Sequence, residues 1–398
     1  MGTHALTDAR TPVPMFADRI FEHLPRTDQR RWARAYLQGL LTTPGKKSVR
    51  RLAVAVSDSP TASQSLHKFV NASPWDWKPA REELACWAEQ RMSSQAWTVS
   101  LAVLRKRGEH SCGVHRRFVP STGRSVTCQA GVGAFLASPE AAVPVDWHLL
   151  LPGSWAKDAE RRNRTRIPDG VGAQSVEQHA LDLVDALTAV SHTAPVPVVT
   201  DLCAFSGASA LVNGLSQRER DFVVAVPDGF KVVLGHHLRA QHRHGPDDHG
   251  MAVTARSLFQ FEAAGLFQVE TVPPDPGQTQ HTTVLTSLVH LPLVPSTGLQ
   301  PVRTYQLFAI RSKGDRHPPR LWLTSLTRAR AEEMLALVRT LSRTAESVQR
   351  MKEDFGLLDF EGRSYPGWHR HMTLVSAAYA YSRLNHPDAP AGPLSAAA

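Results

Sequence analysis

The sequence predicts an α/β (α+β) fold, in which a helical segment precedes a mixed sheet. Up to about residue 95, apolar residues recur every three or four positions, which is typical of amphipathic helices. At Trp97 the period changes to two, and strand-like and helix-like stretches then alternate up to residue 226. A β-rich stretch and a last pair of helices follow. This order predicts helices packed against a mixed sheet as layers.

The helical segment contains amphipathic stripes and one strongly basic helix start. Pro44 and Gly45 interrupt the helical pattern, and four positive charges follow within six residues. These cations could contact a phosphate backbone, but they are equally compatible with a solvated helix start. They are Lys46, Lys47, Arg50 and Arg51.

The middle of the chain predicts the core sheet. An apolar run at 197–200 reads as a buried strand, and it ends at Asp201, whose carboxylate is costly to bury without a partner. Three strands and a weaker fourth precede it, and a helix and another strand follow it. The order of strands and helices predicts a core of ribonuclease H type. The predicted elements are strands at 97–103, 110–119, 126–136 and 145–151, a helix at 175–190, a helix near 208–215 and a strand at 222–226.

The last part of the chain predicts a β-rich insertion and then two helices. Strand-like runs occur at 267–272, 282–291, 305–310 and 320–326, and helices are expected at 329–355 and 371–384. The expected segments are a disordered tail (1–14), a helical DNA-binding domain (15–95), the first part of the core (96–226), the insertion (227–327), the C-terminal core helices (328–385) and a disordered tail (386–398).

Composition favours a basic protein of the cytoplasm. The 398 residues include 45 Lys and Arg against 36 Asp and Glu, for a net charge of +9. This balance favours anionic partners, nucleic acid first, although Arg-rich chains also arise from GC-rich coding DNA. The four scattered cysteines fit a reducing cytosol. No signal-like segment and no apolar stretch of membrane-spanning length is present, so neither secretion nor membrane insertion is expected.

Several segments together resemble bacterial insertion-sequence transposases of the DDE superfamily, in the branch of the DDE superfamily endonucleases. The similarity is spread over roughly residues 15–385. The segments that carry it are Leu66–Trp77 (LHKFVNASPWDW), His110–Val114 (HSCGV), Val143–Leu149 (VPVDWHL), Pro152–Trp155 (PGSW), Gly356–Leu357 (GL), Phe360–Ser364 (FEGRS) and Gly367–His371 (GWHRH).

The resemblance implies a ribonuclease H-like core in which three carboxylates hold two Mg²⁺ or Mn²⁺ ions for DNA cleavage and strand transfer. The second Asp of the pattern corresponds to Asp201. The position of the first Asp holds Ser100. The Glu that members carry seven residues before a Lys corresponds to Ala345, counted from Lys352, and Glu346 is the next residue. The catalytic candidates are therefore Asp201 and Glu346, with Asp201 the metal-ligand candidate.

The resemblance and local basicity also mark candidate DNA contacts, and the resemblance alone implies a homo-oligomer. The Trp368–His371 segment is basic beside an aromatic side chain, which suits phosphate contact or stacking. The candidate contacts are Lys46, Lys47, Arg50, Arg51, Arg343, Lys352, Arg363, His369 and Arg370.

Three functions stay open from the sequence. The first is a DNA-associated protein of the transposase family with a degenerate triad. The second is an active transposase with a rearranged triad, dependent on Mg²⁺ or Mn²⁺; without activity no cofactor is expected. The third is a transposase scaffold co-opted for non-DNA chemistry or protein interaction.

Other chemically notable residues favour structural roles. The His-rich stretch at 235–249 matches no closed metal site and reads as a solvated loop. Asp146 is expected to accept structural hydrogen bonds. Cys203, close to Asp201, could act as a nucleophile in a repurposed pocket, but a free cysteine in a core is far commoner.

Overall fold

The computed structural model describes residues 11–119, 122–205, 207–234, 252–260, 267–271, 282–292, 303–312 and 319–385. Residues 1–10 and 386–398 of the expected tails lie outside these ranges, as does the His-rich stretch at 235–249. The first helix begins at Val13, inside the tail expected over 1–14. The helices are α1 (Val13–Ile20), α2 (Thr27–Thr42), α3 (Val49–Val56), α4 (Ala62–Asn71), α5 (Lys78–Glu89), α6 (Gly153–Lys157), α7 (Ala159–Thr165), α8 (Val176–Val190), α9 (Ala208–Gln217), α10 (Ala255–Gln260), α11 (Ala331–Asp354) and α12 (Tyr365–Asn385).

The strands form one mixed sheet. In sheet order the neighbours run β2-β3-β1-β5-β6-β12-β11-β10-β7-β8, while β4 also pairs with β3 and β9 with β10. The strands are β1 (Ala96–Arg105), β2 (His115–Val119), β3 (Arg124–Ala137), β4 (Ala142–Leu149), β5 (Val198–Thr200), β6 (Phe222–Val226), β7 (Lys231–Leu234), β8 (Ala252–Thr254), β9 (Phe267–Thr271), β10 (Thr282–His290), β11 (Thr304–Ser312) and β12 (Arg320–Thr324).

Three parallel strands lie at the centre of the sheet. β5 pairs in parallel with both β1 and β6, whereas the remaining pairs are antiparallel. The carboxyl ends of β1, β5 and β6 therefore lie at one edge, which is where a parallel sheet usually carries its functional side chains. This arrangement confirms the mixed α/β fold class, and its order is consistent with the ribonuclease H-like core that the resemblance implies.

The β-rich stretch continues the central sheet. Leu321 of β12 pairs antiparallel with Val226 of β6, and β11 and β10 extend the sheet outward from there. The strands expected between residues 227 and 327 are present where that stretch is described.

The helical segment shares its hydrophobic core with the sheet. Phe16 of α1 packs against Trp87 of α5 and Tyr381 of α12, with ring centroids 4.5 and 5.0 Å apart. The same continuous cluster of buried apolar residues extends to Val132 of β3 and Trp147 of β4. Helix α12 is buried on almost every side and so joins the helical segment to the sheet.

One strand and one helix begin at residues other than those predicted, and the structure explains both differences. The strand expected from residue 110 begins at His115, because a turn precedes it in which Gly113 adopts a φ of 75°. The last helix begins at Tyr365, six residues before the predicted start. Pro366 lies in its first turn, where a missing N–H costs no hydrogen bond.

Close packing at the sheet explains one further sequence feature. A Cβ atom at Gly133 of β3 would lie 2.6 Å from the indole ring of Trp147, so only glycine lets this ring lie flat on the strand. No helix in the described part of the chain is long and apolar enough to cross a membrane.

Candidate active site at the strand ends

Asp201 lies at the carboxyl end of β5, directly beside β1. Val99 of β1 pairs in parallel with Thr200 of β5, so the next residue in register beside Asp201 is Ser100. The hydroxyl of Thr200 donates to the carbonyl of Val99 at 2.7 Å and fastens the two strands at this point. The position where the sequence comparison expected the first Asp is therefore adjacent to Asp201 and holds a neutral hydroxyl.

Helix α11 covers the face of the sheet that carries the side chains of Thr98 and Ser100. The hydroxyls of Thr98 in β1 and Thr344 in α11 are 2.6 Å apart. Because side chains alternate along a strand, Ser100 shares the face of Thr98 and lies beneath α11. Lys352 comes near Arg105, so α11 runs in the same general direction as β1.

The flank of α11 above β5 carries no carboxylate at the level of Asp201. Leu337 and Leu341 pack against the core cluster that contains Val199 of β5. Ala345 follows Leu341 by one helical turn and so lies on the same flank, while Glu346 is rotated about 100° away.

Glu346 points to a different part of the surface. Its carboxylate pairs with Arg343 at 3.1 Å, and it lines a shallow recess with Glu140, Arg350 and Arg383. The recess lies beside the turn between β3 and β4, away from the end of β5. The structure therefore does not bring Glu346 together with Asp201.

Asp201 instead pairs with a guanidinium. Arg320, the first residue of β12, donates to Oδ1 of Asp201 across the end of β6. Arginine is always charged and binds carboxylates strongly, so this contact supplies the positive charge at the carboxylate. Both side chains are partly exposed, at 52 % for Arg320 and 30 % for Asp201.

Cys203 lies next to this ion pair. Burial, with a smaller contribution from the Asp201 carboxylate, raises the pKa of its thiol to about 11. The nucleophilic form of cysteine is the thiolate, and a thiol of this pKa stays protonated near neutral pH. The structure therefore gives no support to a nucleophilic role for Cys203.

The residues at the strand ends do not fit two divalent metal ions. Mg²⁺ and Mn²⁺ need several hard oxygen ligands, with carboxylates to balance their charge. Here Asp201 is already compensated by Arg320, and its neighbours in the expected pattern are Ser100 and Ala345. In the described ranges, no three His, Cys, Asp or Glu side chains are grouped so as to hold a metal.

The predicted DNA contacts divide into exposed and buried side chains. Lys352 is half-buried, and burial lowers its pKa. Lys47 is 1 % exposed and donates its ammonium group to the carbonyl of Thr43, so it is not available to a phosphate. The exposed candidates are Lys46, Arg50, Arg51, Arg343 and Arg363.

His369 and Arg370, predicted as DNA contacts within the segment Trp368–His371, are buried in this fold. His369 is stacked on Trp77 with ring centroids 4.6 Å apart. Arg370 donates to the carbonyls of Trp75 and Val70. Both side chains are buried and tie α12 to the chain between α4 and α5.

Arg81 of α5 is a buried charge that the sequence did not reveal. It donates to the carboxylate of Asp146 at 2.6 Å and to the carbonyl of Trp147 at 2.7 Å. It also donates to the hydroxyl of Thr373 and to the carbonyl of His369. Asp146 is thus the structural acceptor that was expected. The sequence also did not reveal the contact of Arg320 with Asp201, since these two residues are 119 positions apart.

Comparison with known proteins identifies the family. A family model described as DDE superfamily endonuclease matches residues 19–257, more than half of the chain. The chain belongs to the DDE superfamily endonuclease family. The matched part of this family member contains Ser100 and Asp201 but ends before α11 and Arg320. No curated protein matches the chain.

Replacing Arg81 is expected to destabilise the fold strongly. Arg81→Met leaves the Asp146 carboxylate and two buried carbonyls without their donor, which should cost about 3–5 kcal/mol. The control is Arg218→Met, which removes a more exposed ion pair with Asp185 and should cost at most about 1 kcal/mol. Chemical denaturation of both variants checks the difference, and equal losses would contradict it.

Stability should also fall in mild acid. Burial lowers the pKa of His179 to about 4 and that of His371 to about 3. In the unfolded chain both pKa values return to about 6.5. From pH 6.5 down to about 4 the unfolded state therefore binds more protons, and the free energy of unfolding decreases as pH falls.

The slope should be as much as about 1.4 kcal/mol per pH unit for each of these histidines. Urea denaturation at a series of pH values below neutrality measures it. His179→Gln removes one titrating group, although its neighbours His148 and Asp182 remain. This variant should flatten the slope, and an unchanged slope would rule out the contribution of His179.

Proposed function

We propose that this member of the DDE superfamily endonuclease family is a DNA-associated protein of the transposase type, impaired in metal-dependent strand cleavage. The observation that carries the proposal is the guanidinium of Arg320 on Asp201, with Ser100 and Ala345 at the two other expected positions. Two of the three carboxylates in the family pattern are thus replaced.

The charge at the strand ends supports impaired cleavage. Two divalent ions bring four positive charges, which three carboxylates balance in large part. In this chain one carboxylate is available, and the guanidinium of Arg320 competes with a metal ion for it. Losing one member of a catalytic unit commonly costs several orders of magnitude in rate.

The surface charge supports association with DNA. The net charge is +9, and the basic start of α3 keeps Lys46, Arg50 and Arg51 exposed. Ser48 caps this helix by accepting from the backbone N–H of Arg51, so the exposed cations lie at an ordered helix start. Arg343 and Arg363 add exposed cations elsewhere, and such groups bind phosphates without reading sequence.

DNA binding and plasmid cleavage test the function together. We expect duplex DNA to bind at low salt, with an affinity that falls steeply as salt increases, and supercoiled plasmid to stay intact with Mg²⁺ or Mn²⁺. Nicking that depends on Mn²⁺ and is lost in Asp201→Ala would instead establish an active enzyme. Failure to bind any DNA at low salt would favour the co-opted scaffold.

Restoring the family pattern should restore divalent-metal binding. The triple variant Ser100→Asp, Ala345→Glu and Arg320→Gln supplies three carboxylates on one face and removes the competing guanidinium. We expect Mn²⁺ to raise its melting temperature while leaving that of the natural chain nearly unchanged, because only the folded variant offers a metal site.

A matched control tests whether position 345 or position 346 supplies the third carboxylate. The double variant Ser100→Asp with Arg320→Gln keeps Ala345, so Glu346 is the sole acid at this point of α11. It should respond to Mn²⁺ much less than the triple variant. An equal response would show that Glu346 can reach Asp201, and it would overturn the placement of the third position at Ala345.

A further inference from the structure

The hairpin formed by β2 and the first part of β3 extends beyond the core of the sheet. Arg105, the last residue of β1, pairs with Cys128 of β3, so Arg124–Thr127 and the β2 residues paired with them continue past the end of β1. Four residues of strand correspond to about 13 Å. The hairpin therefore projects from the same edge of the sheet at which Asp201 lies.

One aromatic side chain on this hairpin faces solvent. Phe118 is 57 % exposed, and the other large apolar side chains exposed in the described residues are the aliphatic Met15 and Val54. A single exposed apolar residue needs no special explanation. Phe118 differs from the other two because it combines an aromatic ring with cationic surroundings.

Those surroundings are strongly cationic. Between residues 105 and 127 the sequence has six Arg or Lys and one acidic residue, Glu109. Four of the arginines are exposed, and none of the four forms an ion pair with a carboxylate in the described ranges. The four are Arg105, Arg107, Arg116 and Arg124. Cations left unpaired beside an exposed ring favour a polyanion that also offers flat apolar faces.

The register relates this surface to the strand ends. β3 pairs with both β1 and β2, and side chains alternate along each strand, so Arg116 and Phe118 share the sheet face of Ser100. On the other face, the guanidinium of Arg117 lies 4.9 Å from the ring centroid of Phe205, shortly after Asp201 in the chain. The hairpin is thus fixed against the segment that follows Asp201.

We propose that this hairpin binds single-stranded DNA, with Phe118 stacking on an unpaired base and Arg116 contacting the backbone phosphates. The inference rests on the proposed association with DNA and names the surface and the form of DNA that it takes. Bases in a duplex are already stacked on each other, whereas unpaired bases offer their faces to an aromatic ring. Phe118 has no hydrogen-bonding group, so the contact tolerates any sequence.

Fluorescence anisotropy with a labelled oligothymidylate and a labelled duplex of equal length tests the inference on the full chain. Phe118→Ala should weaken binding of the single strand about tenfold and change duplex binding little. Phe118→Trp should preserve binding of the single strand, since an indole also stacks. Met15→Ala is the matched control, because it removes an exposed apolar side chain outside both the hairpin and the basic helix α3, and it should leave both affinities unchanged.

Arg116→Gln should change the salt dependence of binding as well as the affinity. It should weaken binding of the single strand and reduce the slope of log K against log salt by about 0.7, the amount expected for one phosphate contact. Polyglutamate serves as a competitor that carries charge without bases. Equal dependence of polyglutamate binding on Phe118 would indicate an acidic protein partner and overturn the inference.

Comparing the natural chain with Phe118→Ala separates the role of the hairpin from DNA association in general. If the natural chain binds DNA and Phe118→Ala binds the single strand equally well, the hairpin surface is excluded and DNA association stands. If the natural chain binds neither form of DNA, both fail.

Discussion

The buried guanidinium of Arg81 is the constraint on which much of the fold depends. A charge taken out of water must be paired and hydrogen-bonded, and Arg81 meets this need with groups from β4 and α12. Because Arg81 itself belongs to α5, one side chain joins the helical segment, the sheet and the last helix. Satisfying this one group therefore constrains the relative positions of these elements.

The two arginine–aspartate pairs show how environment decides what an ion pair does. Arg81 and Asp146 are largely enclosed, so neither side chain can leave without exposing the other to an apolar surrounding. Arg320 and Asp201 lie at a partly exposed strand end, where water screens both charges and the pair can open at small cost. The first pair stabilises the scaffold. The second places a positive charge beside the carboxylate at the strand ends.

Sequence periodicity predicted many of the helices and strands, but it did not predict the partners of the charged side chains. The apolar run before Asp201 and the change of period at Trp97 predict the strands correctly, because burial of one or both faces leaves a direct pattern in the residues. The basicity of Trp368–His371 suggested a DNA contact, yet His369 and Arg370 are buried, and composition does not distinguish a buried cation from an exposed one. Arg320 reaches Asp201 across 119 positions, which no local pattern can show. The choice between Ala345 and Glu346 likewise required the rotation of α11, which Leu337 and Leu341 set by packing on the sheet.

If the chain acts as proposed, the charges at the strand ends suit the binding of DNA without metal. Three carboxylates with no metal carry a charge of about −3, which repels a phosphate until divalent ions bind. In this chain the same positions hold one carboxylate and one guanidinium, so their charge sums to about zero with no ion present. If Ser100 and Ala345 stand where the family carries carboxylates, as proposed, the same replacements that remove metal ligands also reduce the repulsion of a phosphate. In the proposed function, impaired cleavage and DNA association would share one electrostatic cause, the pairing of Arg320 with Asp201.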